Sequence, residues 1–459
     1  MKIVITFVIY NYNIMRIKSL QLTKVGVFES ELIEFKPCPS KGKAEIHIFT
    51  GTNGTGKSTI LKALVAAFEN VGINRNDEIL CKSDTNSFTR YLREKNSKSG
   101  ANLSIQSSED FEINYTGCPE GANHLHIISK DTEEISDYRS ILDESKKVDQ
   151  SSCFEFCLFA YSGNRFINIS NDSPEKTNHI KNPIYGSLEF NKKSNSAFFI
   201  DKWLETSLLK ESYARREGLD DHSKNFNTIL TKLESTIGEI VGYDLKVKMD
   251  KKALREPVFL YDGVEHKIDV LPDGLKSILS WLLDLCMRLE NLTWMNDTPI
   301  FDRNIILFLD EIEAHLHIEW QRKILPAIQK LFPNAQIFIS THSPFVVNSV
   351  DDAWVYNLEV EKGNAKVRKV ELSQDGKSFT SVLRNIFGVK ETFGPAIEKD
   401  LLKFKDLVSK ALDRSITTKE EKELNKIAQN LAQEGTELES IVGFEMRQLE
   451  KMNKKEIAL

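Results

Sequence analysis

Apolar and polar positions alternate along "IKSLQL" and "LIEF" and then concentrate in "EIHIFT". The segment from Met15 to about Leu61 therefore predicts three strands, the last running into a glycine-rich turn and an apolar helix, "GTNGTGKSTILKALVAAFE". Residues 71–150 are polar, with isolated strand-like pieces "NLSIQ" and "FEINY", and predict an insertion dominated by surface loops. "CFEFCLFAYSGNRF" (153–166) predicts a buried strand emptying into a polar turn. Helical spacing runs from "AFFIDKWLETSLLKESYARR" to "LESTIGEIVG", after which "DLKVKMD", "PVFLYDG" and "HKIDVL" alternate like a meander. "LPDGLKSILSWLLDL" (271–285) reads as a Gly-capped turn feeding an apolar helix. Next come "RNIILFLD", apolar enough for a strand covered on both faces, a helix from about Glu319 to Leu331, and a second buried strand, "AQIFIST". Strands alternating with helices predict an α/β fold with a largely parallel sheet. From about Ser378 the chain is helical to its end, with Ile397, Leu401, Phe404, Val408 and Ala411 on one face.

These patterns divide the 459 residues into an opening segment, 1–14, read as an extra edge strand or a mis-assigned start, an N-terminal lobe with its insertion (15–196), a helical and lid region (197–285), a C-terminal lobe (286–375) and a helical extension (376–459). No run approaches the roughly 18 apolar residues of a membrane span, so no membrane partner is expected. A formal charge of −6 argues against a surface that grips nucleic acid wholly by long-range attraction, although a local basic groove stays open. The six cysteines are scattered, and their one close pair, "CFEFC", has neither zinc-knuckle nor redox spacing; reduced thiols and a cytoplasmic location are expected.

The chemistry concentrates in three places. "GTNGTGKST" has the spacing Gly-x-x-x-x-Gly-Lys-Ser from Gly51 to Ser58. Gly51, Gly54 and Gly56 permit positive φ, so the main-chain N–H groups of this loop, with Thr52, Asn53, Thr55 and Thr59 in the same cradle, face an anion at a helix N-terminus. Lys57 adds a point charge for β and γ phosphates, and the Ser58 hydroxyl suits Mg²⁺. "IILFLDEIE" brings Asp310 out of five apolar residues as a second metal ligand, with Glu311 next in line as general base or water-positioning group. "FISTHSPF" puts His342 at the end of the neighbouring strand, within reach of a γ phosphate.

Together, in this order and with "LPDGLKS" ahead of the second, these motifs resemble the ATP-binding-cassette head of RecF-like and SMC-like ATPases over roughly residues 15–375. The run "DEIEAHLHIEWQRKILPAIQKLFPNAQIFISTHSPFVVNSV" is most similar to compact bacterial ATPases of anti-phage systems, such as those of Septu and PARIS, and to OLD-family relatives. The resemblance implies a P-loop NTPase fold of ABC type, with a mixed central sheet, a helical insertion and a C-terminal helical extension. It also implies ATP and Mg²⁺ as cofactors, and a homodimer closed around ATP that can build into higher oligomers. In such heads a Leu-Ser-x-Gly signature covers the γ phosphate of the opposite subunit; here "LPDG" holds that position. Pro272 replaces the signature serine, leaving Asp273, Gly274, Lys276 and Ser277 to make the contacts. A sensor ATPase controlling a separate effector, commonly a nuclease, is the first functional expectation, and a DNA-repair or DNA-clamping ATPase that binds duplex DNA is the alternative. "AYSGNRF" stands where a Q-loop is expected, which makes Arg165 a candidate phosphate or partner contact; His315 and His317 read as interface residues. No heptad-rich arm lies between Lys57 and Asp310; OLD-type proteins follow the head with a larger Toprim domain, and with only roughly eighty residues after the last strand a nuclease within this sequence is not expected.

Overall fold

The computed structural model describes residues 15–66, 68, 72–73, 79–80, 91–93, 100–106, 110–117, 125–129, 153–163, 183–184, 186–188, 190, 196–217, 220–250, 256–373, 378–389 and 393–455. Residues 1–14 and Arg165 lie outside these. The chain forms two compact units, Met1–Val382 and Leu383–Leu459.

The first unit opens with β1 (Arg16–Val25), β2 (Phe28–Glu34), β3 (Glu45–Gly51) and α1 (Lys57–Ala66). The insertion contributes β4 (Gly72–Ile73), β5 (Ile79–Leu80), β6 (Gly100–Gln106), β7 (Asp110–Gly117) and β8 (Leu125–Ser129). Then follow β9 (Cys157–Tyr161), α2 (Ser196–Glu217), α3 (Asp220–Val241), β10 (Leu245–Met249), β11 (Pro257–Tyr261), β12 (Val264–His266) and α4 (Asp273–Glu290). The last stretch carries β13 (Ile305–Leu309), α5 (Ile318–Leu331), β14 (Gln336–Ser340), α6 (Pro344–Val347), β15 (Trp354–Glu361) and β16 (Asn364–Leu372), and α7 (Phe379–Asn385) begins in this unit and runs past Val382.

The central sheet has the order β16-β15-β3-β14-β13-β9. Every neighbouring pair in it is parallel except β15 with β16, so it is the mixed sheet expected, parallel but for one edge strand. All residues of β3, β13 and β14 are buried, which is why β13 and the centre of β14 read as continuous apolar runs; in β3 the buried set includes the polar Glu45, His47 and Thr50. Register brings Tyr161 opposite Leu309, Leu309 opposite Ile339, and Ser340 opposite Phe49, so the carboxyl ends of four adjacent strands lie at one edge. That edge is where ligands bind in open α/β sheets.

β1 and β2, in sequence the first two predicted strands, belong instead to a second, antiparallel sheet with the order β2-β1-β6-β7-β8-β5-β4. "NLSIQ" and "FEINY", the strand-like pieces of the insertion, form β6 and β7 and pair in the same sheet as β1. The two sheets are joined through Gln336, whose side chain accepts the Ile17 N–H and donates to the Ile17 carbonyl, both at 2.9 Å.

The meander forms as β10-β11-β12, but its third strand is Val264–His266 and not "HKIDVL". The two-residue turn at Asp262–Gly263 has positive φ at both positions (49° and 77°), the geometry of a tight hairpin, and so starts the strand at Val264. Ile268–Val270 then close a short 3₁₀ turn that leads into Pro272. The hairpin β15–β16 uses the same device at Lys362–Gly363, with φ of 50° and 83°. The expected boundary at 285/286 falls inside α4, 13 of whose residues are buried.

The second unit holds α8 (Pro395–Leu412), α9 (Thr418–Gln433) and α10 (Thr436–Lys455) around a core of Leu401, Phe404, Leu407, Val408, Leu424, Leu431, Leu438 and Val442. α9 begins with a capping box, in which Thr417 and Glu420 satisfy each other's main-chain N–H groups.

Candidate active site

The loop between β3 and α1 takes positive φ at Gly51 (147°), Gly54 (81°) and Gly56 (90°). Two of these glycines are also enforced by space: a Cβ at Gly51 would lie 2.4 Å from the Leu358 carbonyl oxygen, and one at Gly56 would lie 2.5 Å from the ring of buried Phe28. The first helical hydrogen bond of α1 runs from the Ile60 N–H to the Gly56 carbonyl at 3.0 Å, so the N–H groups ahead of it are those a helix leaves for an anion. The hydroxyl of Thr55 donates to the Thr52 carbonyl at 2.9 Å and tightens the loop, while Thr59 packs against Gly26 of the β1–β2 turn. Thr52 and Asn53 are exposed.

Lys57 is 5% exposed. Its ammonium lies across the loop, donating to the Gly51 and Thr52 carbonyls at 2.9 Å each. Burial pulls its pKa down to about 8, against the opposing pull of Glu313, Asp310 and Glu311.

The acids reach the same edge from β13. Asp310 is held by its main-chain N–H, bonded to the Tyr161 carbonyl at 2.9 Å. Its Oδ1 accepts from the Ser58 hydroxyl at 2.9 Å and from the Ser340 hydroxyl. Ser340 also accepts the Glu311 N–H at 2.9 Å. Glu311 has φ 47°, uncommon for a residue with a Cβ. Its carboxylate fills the space beside Gly163, where a Cβ would lie 2.8 Å from Oε2. Glu313 reaches across to the loop after β14, accepting from the Thr341 hydroxyl at 2.8 Å and from the His342 N–H at 2.5 Å. His342 is exposed on that loop, and desolvation together with the Lys57 charge lowers its pKa against the pull of Asp310. Ser58 and Lys57, at the start of α1, and Asp310, after β13, come together at this edge, with His342 on the neighbouring loop. Ser340, Glu313 and Gly163 join them unannounced: Ser and Thr at a strand end, and glycine after "AYS", are too common to signal a site.

The signature-position segment needs a correction. Pro272, not glycine, caps α4, and Gly274 lies in the first helical turn. Its missing side chain serves packing, because a Cβ there would come within 2.7 Å of the His315 carbonyl and 2.9 Å of the Trp320 ring. Ser277 is buried and its hydroxyl is directed to the Ala314 carbonyl at 3.3 Å. Gly274 and Ser277 therefore face the turn after Glu313, and the outward groups are Asp273, which is exposed, and Lys276, ion-paired with it at 2.7 Å. Pairing with Lys276 holds the Asp273 carboxyl below its usual range. His317 is the N-cap of α5, accepting the Glu319 N–H, and among the described residues no group of three or more His, Cys, Asp or Glu could hold a metal. No helix among them is long and apolar enough to cross a membrane.

A glycine-rich loop on the edge of a mixed sheet, a lysine laid across it, and a serine and an aspartate meeting beside it define the class: a P-loop NTPase fold. The chain belongs to the family described as "AAA domain, putative AbiEii toxin, Type IV TA system", which matches residues 46–348. Its relatives include the Retron Vc95 probable ATPase of Vibrio cholerae serotype O1 biovar El Tor, 23% identical over 348 residues, 66% of each chain. The Retron Ec83 probable ATPase of Escherichia coli is 24% identical over 435 residues, 82% of this chain and 77% of that one. The Septu protein PtuA of Bacillus thuringiensis is 22% identical over 401 residues, 84% of this chain and 88% of that one. The chain thus spans just under two thirds of the Vc95 relative and about three quarters of the Ec83 relative. Among solved structures, an SMC head bound to the C-winged helix domain of ScpA aligns with 78% of this chain and 97% of its own, at 13% identity and a TM-score of 0.43.

Proposed function

We propose that the protein binds and hydrolyses ATP between two copies of itself, and that it serves as the ATPase subunit of a bacterial anti-phage system controlling a separate effector protein, a nuclease being the expected kind. The observation that carries the chemistry is the meeting of Ser58, Asp310 and Lys57 at one sheet edge, with Glu311 one residue beyond. The defence role is supported by similarity to retron and Septu proteins.

In this reading the loop amides and Lys57 take the β and γ phosphates, Lys57 exchanging its two carbonyl partners for phosphate oxygens. The Ser58 hydroxyl and the Asp310 carboxylate are a hard-oxygen pair of the kind Mg²⁺ prefers, and their 2.9 Å approach supports a reading in which both address one small ion. Bound there, the ion supplies charge neutralisation on the phosphates. Glu311 accepts a proton from the water that attacks the γ phosphorus; the bond to the β-phosphate oxygen breaks, and ADP and phosphate leave. Glu313 holds the loop that presents His342 to the γ phosphate. Asp273 and Lys276 face the second copy, where Lys276 offers the positive charge that Pro272 cannot.

The test is phosphate release by the purified protein. Steady release with ATP and Mg²⁺ that EDTA abolishes is expected, and no release above buffer at saturating ATP and Mg²⁺ would count against the reading.

A further inference from the structure

Tyr161, the last residue of β9, is attached on two sides. Its main-chain carbonyl takes the Asp310 N–H at 2.9 Å, and its phenol Oη donates to Asp284 Oδ2 at 2.9 Å. Asp284 is buried, at the start of the fourth turn of α4. The same Oδ2 accepts Arg288 Nε at 2.7 Å, and Arg288 Nη1 donates to the Pro183 carbonyl at 2.7 Å. The Tyr161 ring packs against Trp281, one turn earlier in α4, with centroids 6.0 Å apart. Two residues past Tyr161, Gly163 leaves the space that the Glu311 carboxylate occupies. A single residue therefore joins the middle of the signature-position helix to the strand end that carries one site carboxylate and flanks the other.

Packing alone does not ask for this arrangement. A buried carboxylate and phenol must be desolvated, and apolar residues of the same volume would fill the space at least as well.

On the ATPase reading above, we propose that Tyr161 and Asp284 are positioning residues. They couple the seating of α4 against a second copy's nucleotide to the placement of Asp310 and Glu311 in the same subunit. Because a helix is stiff and the two bonds to Tyr161 are short, a shift of α4 is carried to the carboxylates. A misplacement of about 1 Å at reacting groups can cost roughly 10²-fold in rate.

Tyr161→Phe removes one hydroxyl and keeps the ring; Asp284→Asn keeps the shape. Each is expected to bind a non-hydrolysable ATP analogue within about twofold of the wild type while kcat falls by about tenfold or more, and the double variant should be no worse than the poorer single one, as members of one unit behave. Wild-type kcat in Tyr161→Phe, parallel losses of affinity and turnover, or multiplying losses in the double variant would overturn the proposal. Hydrogen exchange on the full chain separates it from the reading beneath it. Adding the analogue to the wild type should slow exchange at 51–59, 157–163 and 273–290, and in Tyr161→Phe at 51–59 and 273–290 but not at 157–163. Slowing confined to 51–59 in the wild type overturns the coupling and leaves the nucleotide site standing. No slowing at 51–59 removes the nucleotide site, and the coupling with it.

Discussion

Replacing Glu311 by glutamine is expected to leave ATP binding intact and to lower turnover by about 10²- to 10⁴-fold, the range for loss of a general base. The substitution is nearly isosteric, so the side chain still fits the space beside Gly163, and the Ser340 hydroxyl still takes the main-chain N–H of residue 311. Ser58, Asp310 and Lys57, which would hold the phosphates and the ion, are untouched. What is lost is the capacity to accept the proton of the attacking water. Calorimetric titration with an ATP analogue beside steady-state phosphate release reads both quantities. Undiminished turnover would refute the role given to Glu311, and loss of affinity together with turnover would place Glu311 in binding instead.

Lys57→Ala should act on the opposite quantity. The ammonium is desolvated and faces Asp310, Glu311 and Glu313, so a triphosphate arriving there meets a preformed cation with little left to desolvate. Truncating one partner of a buried charge pair costs about 2–5 kcal/mol, which is a loss of roughly 30- to several-thousand-fold in nucleotide affinity. The fold should survive, because the two carbonyls that Lys57 satisfies lie on a loop with three positive-φ glycines rather than in the sheet core. Binding of the analogue, checked beside a thermal melt, decides the matter: a folded variant with wild-type affinity would contradict the phosphate-loop assignment.

What was legible in the sequence is what is carried by neighbours along the chain. Gly51, Gly54, Gly56, Lys57 and Ser58 share one loop, and Asp310 follows directly on an apolar run that could only be a covered strand, so motif and context stand side by side. The central sheet was legible for the same reason: β3, β13 and β14 are buried along their whole length. The site's long-range members were not. Ser340 lies 30 residues from the carboxylate it touches, and Tyr161 lies 123 residues from Asp284. Neither has a local pattern to mark it. Gly274 looked like a cap and proved to be a close approach to His315 and Trp320, which residue type alone cannot distinguish. The assignment of β1 and β2 to a second sheet depends on pairing with β6, some eighty residues further on, across a polar stretch whose alternation is weak.

The central claim is that ATP is held between two copies of this chain, with Asp273 and Lys276 of one facing the nucleotide of the other. The most direct measurement is the solution mass of Glu311→Gln, in which bound ATP should persist, with and without ATP and Mg²⁺. The account predicts the 52.4 kDa chain without nucleotide and twice that mass with it. An unchanged mass at saturating nucleotide would contradict it.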